Sequence, residues 1–504
     1  MTRSAWTDVH LNRRAFVAAA AASGAGLALA GCDASTGAQP TLDQAIAAAE
    51  KRRPHTGRTA TATLTAAPAT IDLGGPLART LAYGDGVPGP LIRANVGDEL
   101  AVNVRNRLGA PTSVHWHGIA IRNDMDGVFP ATPNIAANTD FTYRFSSPHP
   151  GTYWAHPHVD LQTDYGLYLP LIIDDPAESA DYDAEWVVVL DDWTDGIDRS
   201  PQQIYDELRR GPMPAQPEEG EMPGMSHAGR SALLGGDAGD IGYPHYLVNG
   251  RVATAPTTFA AKPGQRIRIR IINAGADTAF RVALAGHVMT VTHTDGFAVL
   301  PTDVDALLLG MAERYDVIVT AGDGVFPLVA VPEGKTAQPG RALLTTAAGV
   351  GPDPAFQPPQ LNGRVGTVDM FTATPEASLG RSGSDVDLAL ELTGSMQAYD
   401  WSINGKPYPN SPPMEVKQGQ RATLAFTNST MMYHPMHLHG HTFQVIKPDG
   451  NLGARKDTVN VLPNQKVSAV LVADNPGDWM IHCHNGYHQE AGMMTTLKYT
   501  AFTT

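Results

Sequence analysis

Three stretches of this chain share one pattern: Gly97-Asp98 to Asn106 (GDELAVNVRN), Gly264-Gln265 to Asn273 (GQRIRIRIIN) and Gly419-Gln420 to Asn428 (GQRATLAFTN). In each, an asparagine follows a glycine by nine positions. The apolar residues between them alternate, Leu100, Val102 and Val104 in the first copy and Ile267, Ile269 and Ile271 in the second. A period of two is that of a strand with one buried face. The tripeptides Val248 to Gly250 (VNG) and Ile403 to Gly405 (ING) repeat upstream of the second and third copies. Such repetition constrains the chain to homologous units: three β-domains over residues 59–178, 184–350 and 384–504, with a turn-rich join at 174–183 and a Pro-rich linker at 351–383. Domains of this size built from short alternating strands are sandwiches, and 50 glycines and 39 prolines suit a turn-rich, all-β chain.

At 504 residues, 42% hydrophobic and 17% charged, the composition is globular. A net charge of −15 argues against a nucleic-acid partner, which needs clustered Lys and Arg. Residues 1–32 read as an export signal, with the paired arginines of Asn12-Arg13-Arg14-Ala15-Phe16 ahead of an Ala-rich apolar run, Val17 to Ala30, too short to span a bilayer. The run ends in Leu29-Ala30-Gly31-Cys32, which resembles a bacterial lipobox; an ordinary signal peptide with an incidental cysteine is the alternative. The expectation is twin-arginine export, as for proteins that cross already folded, and a lipid anchor on Cys32 at the outer face of the cytoplasmic membrane or in the cell envelope, with residues 33–58 as a linker. The chain is expected to be a monomer. With Cys32 lipidated, Cys483 is the remaining thiol of the two in the sequence, so it is either a buried apolar residue or a ligand.

Aligning the copies on their asparagines exposes the chemistry. Nine and eleven residues beyond Asn106 lie His115 and His117 (HWHG), and the same offsets from Asn428 reach His437 and His439 (HPMHLHG). From Asn273 they reach Val282 and Leu284, so the middle domain keeps the scaffold without the imidazoles. Five and seven residues beyond Gly151 are His156 and His158, and beyond Gly477 are His482 and His484. Residues i and i+2 of a strand face the same way, so each His-x-His pair aims two imidazoles at one place. A single pair is ordinarily a surface or core feature. Four pairs at duplicated positions point to a metal, and eight imidazoles suit copper or zinc rather than magnesium or calcium.

Strand alternation sends Cys483 to the face opposite His482 and His484, where it can meet His488 and Met493. A thiolate, two imidazoles and a distant thioether form the blue-copper ligand set, with His434 as the second imidazole. Zinc gains nothing from an axial methionine.

These motifs resemble those of the multicopper oxidase family: PGPLIRANVGDE at Pro88 to Glu99, HWHG, HPH, HPMHLHG and HCHxxxHxxxxM occur in family order across nearly the whole mature chain. The resemblance implies three consecutive cupredoxin-like Greek-key β-sandwich domains and four coppers. It implies type 1 ligands His434, Cys483 and His488 with Met493 axial, type 2 ligands His115 and His437, and type 3 ligands His117, His156, His158, His439, His482 and His484. It also implies that electrons pass from the type 1 site through Cys483 to His482 or His484, and that four one-electron oxidations reduce one O2 to two waters. Two departures stand out. Pro157 holds the place where many relatives have Ser, implying a ladder gap or a sheet edge. Gln489 stands where many bacterial members carry a proton-delivering Glu; Glu490 is the candidate substitute. Asp126 in DMDGV matches the family's other acidic residue near the cluster, or is a turn residue before Gly127.

The electron donor is read from weaker signals. Met213, Met222, Met225 and His227 lie in a Pro/Gly/Glu-rich insertion, and soft thioethers favour Cu(I), although a plain loop reads the same way. Met431, Met432 and Met436 flank His434, where methionine is also ordinary core filler. Asp457 in ARKDTV matches an acidic position that lies near the type 1 site of cuprous oxidases; it binds an incoming cation there, or merely pairs with Arg455 or Lys456. The acidic surface favours cationic substrates. The expected activity is oxidation of Cu(I), and secondarily Fe(II), in copper tolerance, with laccase-like oxidation of phenols and a non-enzymatic copper carrier as alternatives.

Overall fold

A computed structural model describes residues 40–178, 181–211, 229–380 and 383–503. The export signal with Cys32, and Met213, Met222, Met225 and His227, lie outside the described residues. Each repeat strand occupies the same place in a mixed sheet. Glu99–Asn106 runs parallel to Thr59–Asp72 and antiparallel to Asp140–Ser146. Arg266–Asn273 lies likewise between Ala184–Trp193 and Arg314–Thr320, and Arg421–Asn428 between Val386–Thr393 and Lys466–Val472. A parallel neighbour cannot be reached by a hairpin, and the connecting chain contributes to a second sheet. The paired sheets have four and four strands in the first domain, six and six in the second, six and five in the third. Leu100, Val102, Val104, Ile267, Ile269, Ile271, Leu424 and Phe426 are fully buried, so the alternation marks the core face. In the middle domain the opposite face is buried too: Arg268 and Arg270 reach Asp316, and Arg270 also donates to Thr152 of the first domain.

The repeated asparagine closes each unit in the same manner. Asn106 Nδ2 donates to the carbonyls of Ala110 and Ile135 while its Oδ1 accepts from Leu108 N. Asn273 does so with Thr278, Leu309 and Gly275 N, and Asn428 with Met432, Val461 and Thr430 N. One buried amide thus satisfies three backbone groups at the start of the segment that in domains 1 and 3 carries the histidines.

Two stretches expected as linkers carry structure. Within 33–58, helix α1 (Leu42–Arg52) is opened by a capping box between Thr41 and Gln44 and buries Ala45 and Ile46. It bridges two domains, since Glu50 Oε1 accepts from Ser146 N and Arg53 donates to Asn475 Oδ1. Within 351–383, Val365–Gly366 pairs in parallel with Ala306–Leu309 and completes a sheet of the middle domain. Helix α2 (Pro201–Arg210), capped by Ser200, packs on the third domain through Tyr205 Oη to the Glu490 carbonyl and Arg209 to the Tyr399 carbonyl.

Because the middle domain's Asn273 is remote in sequence from every histidine motif, Asn273→Ala isolates the tie from metal binding. Loss of three buried hydrogen bonds should cost about 3 kcal/mol, read as a lower unfolding midpoint of the apoprotein.

Candidate metal centre

The histidine strands of domains 1 and 3 are built alike. His115–His117 pairs with Gly151–His156, placing His115 opposite His156; His434–Leu438 pairs with Asp478–Cys483, placing His437 opposite His482. The equivalent middle-domain strand, Phe280–Leu284, turns Val282 and Leu284 into its own core. Pro157 falls just past the end of the Gly151–His156 strand, so the expected gap or edge is the end of the ladder itself. Its carbonyl lies 2.9 Å from His156 Nδ1, as the Cys483 carbonyl lies 2.9 Å from His482 Nδ1. Each imidazole thereby turns its Nε2 inward.

All eight imidazoles converge. His482 Nε2 lies 2.9 Å from His439 Nε2 and 3.4 Å from His158 Nε2. His484 Nε2 lies 3.4 Å from His156 Nε2, and His117 lies within 4.8 Å of His115 and His156 by their ring nitrogens. His115 stacks on His439 and His117 on His437, each at 3.7 Å. Burial pushes His117, His156, His158, His439, His482 and His484 well below the ordinary histidine range and lowers His437, with neighbouring imidazoles adding to the effect. They are neutral lone-pair donors.

Two carboxylates hold this array. The Asp126 carbonyl lies 3.0 Å from His115 Nδ1, and its Oδ2 lies 2.9 Å from His439 Nδ1. Asp457 mirrors it: its carbonyl lies 2.9 Å from His437 Nδ1 and its Oδ1 3.2 Å from His117 Nε2. Asp126, buried beside the cluster, also precedes Gly127, whose φ of 81° suits the turn. Asp457 corrects the sequence expectation. It is fully buried at the His437 end of its strand pair, out of reach of an incoming cation, and its partner is neither Arg455 nor Lys456 but Arg314 of the middle domain. Arg314 binds both its oxygens at 2.7 and 2.6 Å and donates to the Thr152 carbonyl of domain 1. Burial alone would raise the Asp457 carboxyl; the guanidinium and its hydrogen bonds hold it well below the usual range.

On the other face of the Asp478–Cys483 strand, Cys483 Sγ lies 3.6 Å from His434 Nδ1 and 3.7 Å from His488 Nδ1, which are 3.1 Å apart. The local sequence explains the turn. Asn485 caps the short helix α3 (Gly486–Ala491) by accepting from Tyr487 N and His488 N, and Gly492, at φ 118°, ends it. Met493, fully buried, then returns beside Cys483, whose N–H it accepts. The outer nitrogens are held by Thr430 Oγ1, 2.8 Å from His434 Nε2, and Asp240 Oδ2, 3.1 Å from His488 Nε2. Tyr399 Oη donates to the same Asp240 oxygen at 2.7 Å, and the Trp401 ring lies 4.2 Å from His488.

The residues fit bound copper. His115 Nε2, His437 Nε2 and His117 Nδ1 are buried without a hydrogen-bond partner, a costly arrangement that a cation relieves. Burial pushes the Cys483 thiol up, so its thiolate also needs a cation. Soft sulfur with imidazole on one side and imidazoles alone on the other suit copper at both.

Comparison with known proteins agrees. Family models described as multicopper oxidase match residues 65–178, 184–350 and 383–501. The chain is 63% identical to multicopper oxidase MmcO of Mycobacterium tuberculosis over 98% of each chain. It is 29% identical to the copper resistance protein A homolog of Pseudomonas syringae pathovar tomato, over 86% of this chain and 91% of that one. The crystal structure of the laccase from Botrytis aclada matches with a TM-score of 0.72 at 25% identity, covering 92% of this chain and 90% of the other. Fold and site define a copper oxidoreductase of three cupredoxin-like domains that uses O2 as acceptor. The chain belongs to the multicopper oxidase family, whose members use four coppers, of types 1, 2 and 3.

Several residues beside the site had no signal in the sequence. Asp240 sits in the Gly-rich run GGDAGDIG and reads as a turn; Thr430 and Arg314 reach the site only through strand pairing and domain docking. Of the acids expected to route protons, Asp126 touches His115 and His439, whereas Glu490 does not line the cavity that reaches His156 and His484, which Gln489 does.

Arg314→Leu would leave Asp457 buried without its partner, at a cost of about 3–5 kcal/mol. The type 2 electron paramagnetic resonance signal should be lost while the blue absorption of the type 1 site is kept.

Proposed function

We propose that this multicopper oxidase takes its electrons mainly from Cu(I), with Fe(II) as a second donor, and serves copper tolerance. Bound copper supplies the one-electron redox chemistry and the reduction of O2 to water. The chain supplies everything else. His434, Cys483 and His488, with Met493, would hold the type 1 ion; His115 and His437 the type 2 ion; His117, His156 and His484, and His158, His439 and His482, the type 3 pair. Cys483 is covalently continuous with His482 and His484, and strand alternation lets one tripeptide touch both sites. Asp126, Asp457, Thr430 and Asp240 fix the orientation of the rings, and burial excludes bulk water.

The observation that carries the donor class is Met431. This methionine is 76% exposed on the loop whose Thr430 contacts His434, an unusual place for a large apolar side chain and a soft ligand for Cu(I). Of the described residues flanking the methionine insertion, Gly211 ends α2, whose Arg209 donates to the Tyr399 carbonyl, and Gly229 pairs with Lys335. A net charge of −15 favours a cationic donor over a neutral phenol, and the relative named for copper resistance accords with the role.

We further infer export by the twin-arginine route and lipid anchoring through Cys32, on the motif at its N-terminus. Among the described residues no helix is long and apolar enough to cross a membrane. Cys32→Ala should move the protein from the membrane fraction to the soluble fraction.

Steady-state oxygen uptake with Cu(I), Fe(II) and a phenol, with and without residues 211–227, tests the donor. Cu(I) should give the highest kcat/KM, and Met431→Ala should raise KM for Cu(I) several-fold without changing phenol oxidation. Robust phenol turnover with no metal-ion oxidation would sink the proposal. Cys483→Ser should lose the blue absorption and activity while retaining about three of the four coppers.

A further inference from the structure

A small cavity of about 30 Å³ lies where the three domains meet, lined by His156 and His484 at its inner end and by Asp160, Thr163, Asp164 and Gln489. That volume has room for a water or two. Backbone at Gly275 and Ala276 of the middle domain forms another wall. Gln489, the residue in the position of the family acid, faces this space but has no proton to give.

Asp164 does. It is 5% exposed, its Oδ2 accepts from Tyr487 Oη at 2.5 Å, Tyr243 Oη lies 3.5 Å away, and its Oδ1 is buried without a partner. A carboxyl with one oxygen hydrogen-bonded and the other bare beside a cavity is placed to hold and release a proton there. Asp191, Asp192, Asp195, Asp277 and Tyr168 also lie around it, Asp277 paired with Lys335. Burial and the Asp192 charge push the Asp164 carboxyl well above the usual carboxylate range.

We propose that Asp164 delivers protons to oxygen during its reduction at the histidine cluster, through the cavity that Gln489 faces without supplying an acid. Converting one O2 to two waters takes four electrons from the donor and four protons from solvent. For each proton passed, the Asp164 O–H bond breaks toward water in the cavity, and that water releases a proton at the His156 and His484 end. Solvent then reprotonates Asp164 past the exposed Asp160 at the mouth. The inference rests on oxygen reduction, not on the donor, so it stands or falls apart from the Cu(I) proposal.

The test uses the full copper-loaded chain with Asp164→Asn. Copper content, blue absorption and anaerobic reduction by the donor should match the wild type. Reoxidation of the pre-reduced protein by O2 should slow about a hundredfold. Infrared spectra of the apoprotein should lose one protonated-carboxyl C=O band. Adding Gln489→Glu to Asp164→Asn should restore reoxidation to within about tenfold, because the new acid faces the same cavity. Ala276→Leu, which leaves every acid in place and fills the cavity, is the second variant should Asp164→Asn load copper poorly; it should slow reoxidation alone. Wild-type reoxidation in Asp164→Asn or in Ala276→Leu, or an unchanged carboxyl band in Asp164→Asn, would overturn the assignment.

Discussion

The buried pair between Arg314 and Asp457 underlies the whole site. Eight imidazoles at a domain boundary have no reason to stay in register, since each prefers water and none attracts another. Asp457 fixes His437 through its carbonyl and contacts His117 through its carboxylate, but a bare carboxylate at that depth would not remain charged. Arg314 keeps it so, and by donating to the Thr152 carbonyl it ties the first domain to the other two. A middle domain without a single cluster histidine is therefore part of the cluster's support.

The same domain shapes both ends of the molecule's chemistry. It contributes Asp240 against His488 at the cysteine side, and Gly275 and Ala276 to the cavity that reaches His156 and His484. In the proposed mechanism, electrons and protons approach one buried place separately. Separation follows from the strand: alternate residues face opposite ways, so Cys483 looks toward His434 and His488, and His482 and His484 toward the other imidazoles.

Much of this was legible before any coordinates. The Gly-to-Asn spacing revealed three domains because the asparagine does the same work in each, tying three backbone groups with one amide. The His-x-His pairs and Cys483 were legible because side chains on one strand keep their spacing and face. Asp457 was misread because its motif resembles one with another role, and a carboxylate's function depends on which cation lies opposite. Helix α1 was passed over as linker although Thr41 and Gln44 spell a capping box ahead of an Ala-rich run.

By itself the sequence determined the strands, the repeat, the eight imidazoles and the thiol on the opposite face of the last histidine pair, because these depend on local periodicity and on residue chemistry. Only the tertiary structure decided which groups meet across domain boundaries: Arg314 with Asp457, Asp240 with His488, and Asp164 with a cavity at the cluster. The first two contacts join residues 143 and 248 positions apart, brought together by domain docking, and no spacing along the chain encodes the distance between two surfaces before they pack.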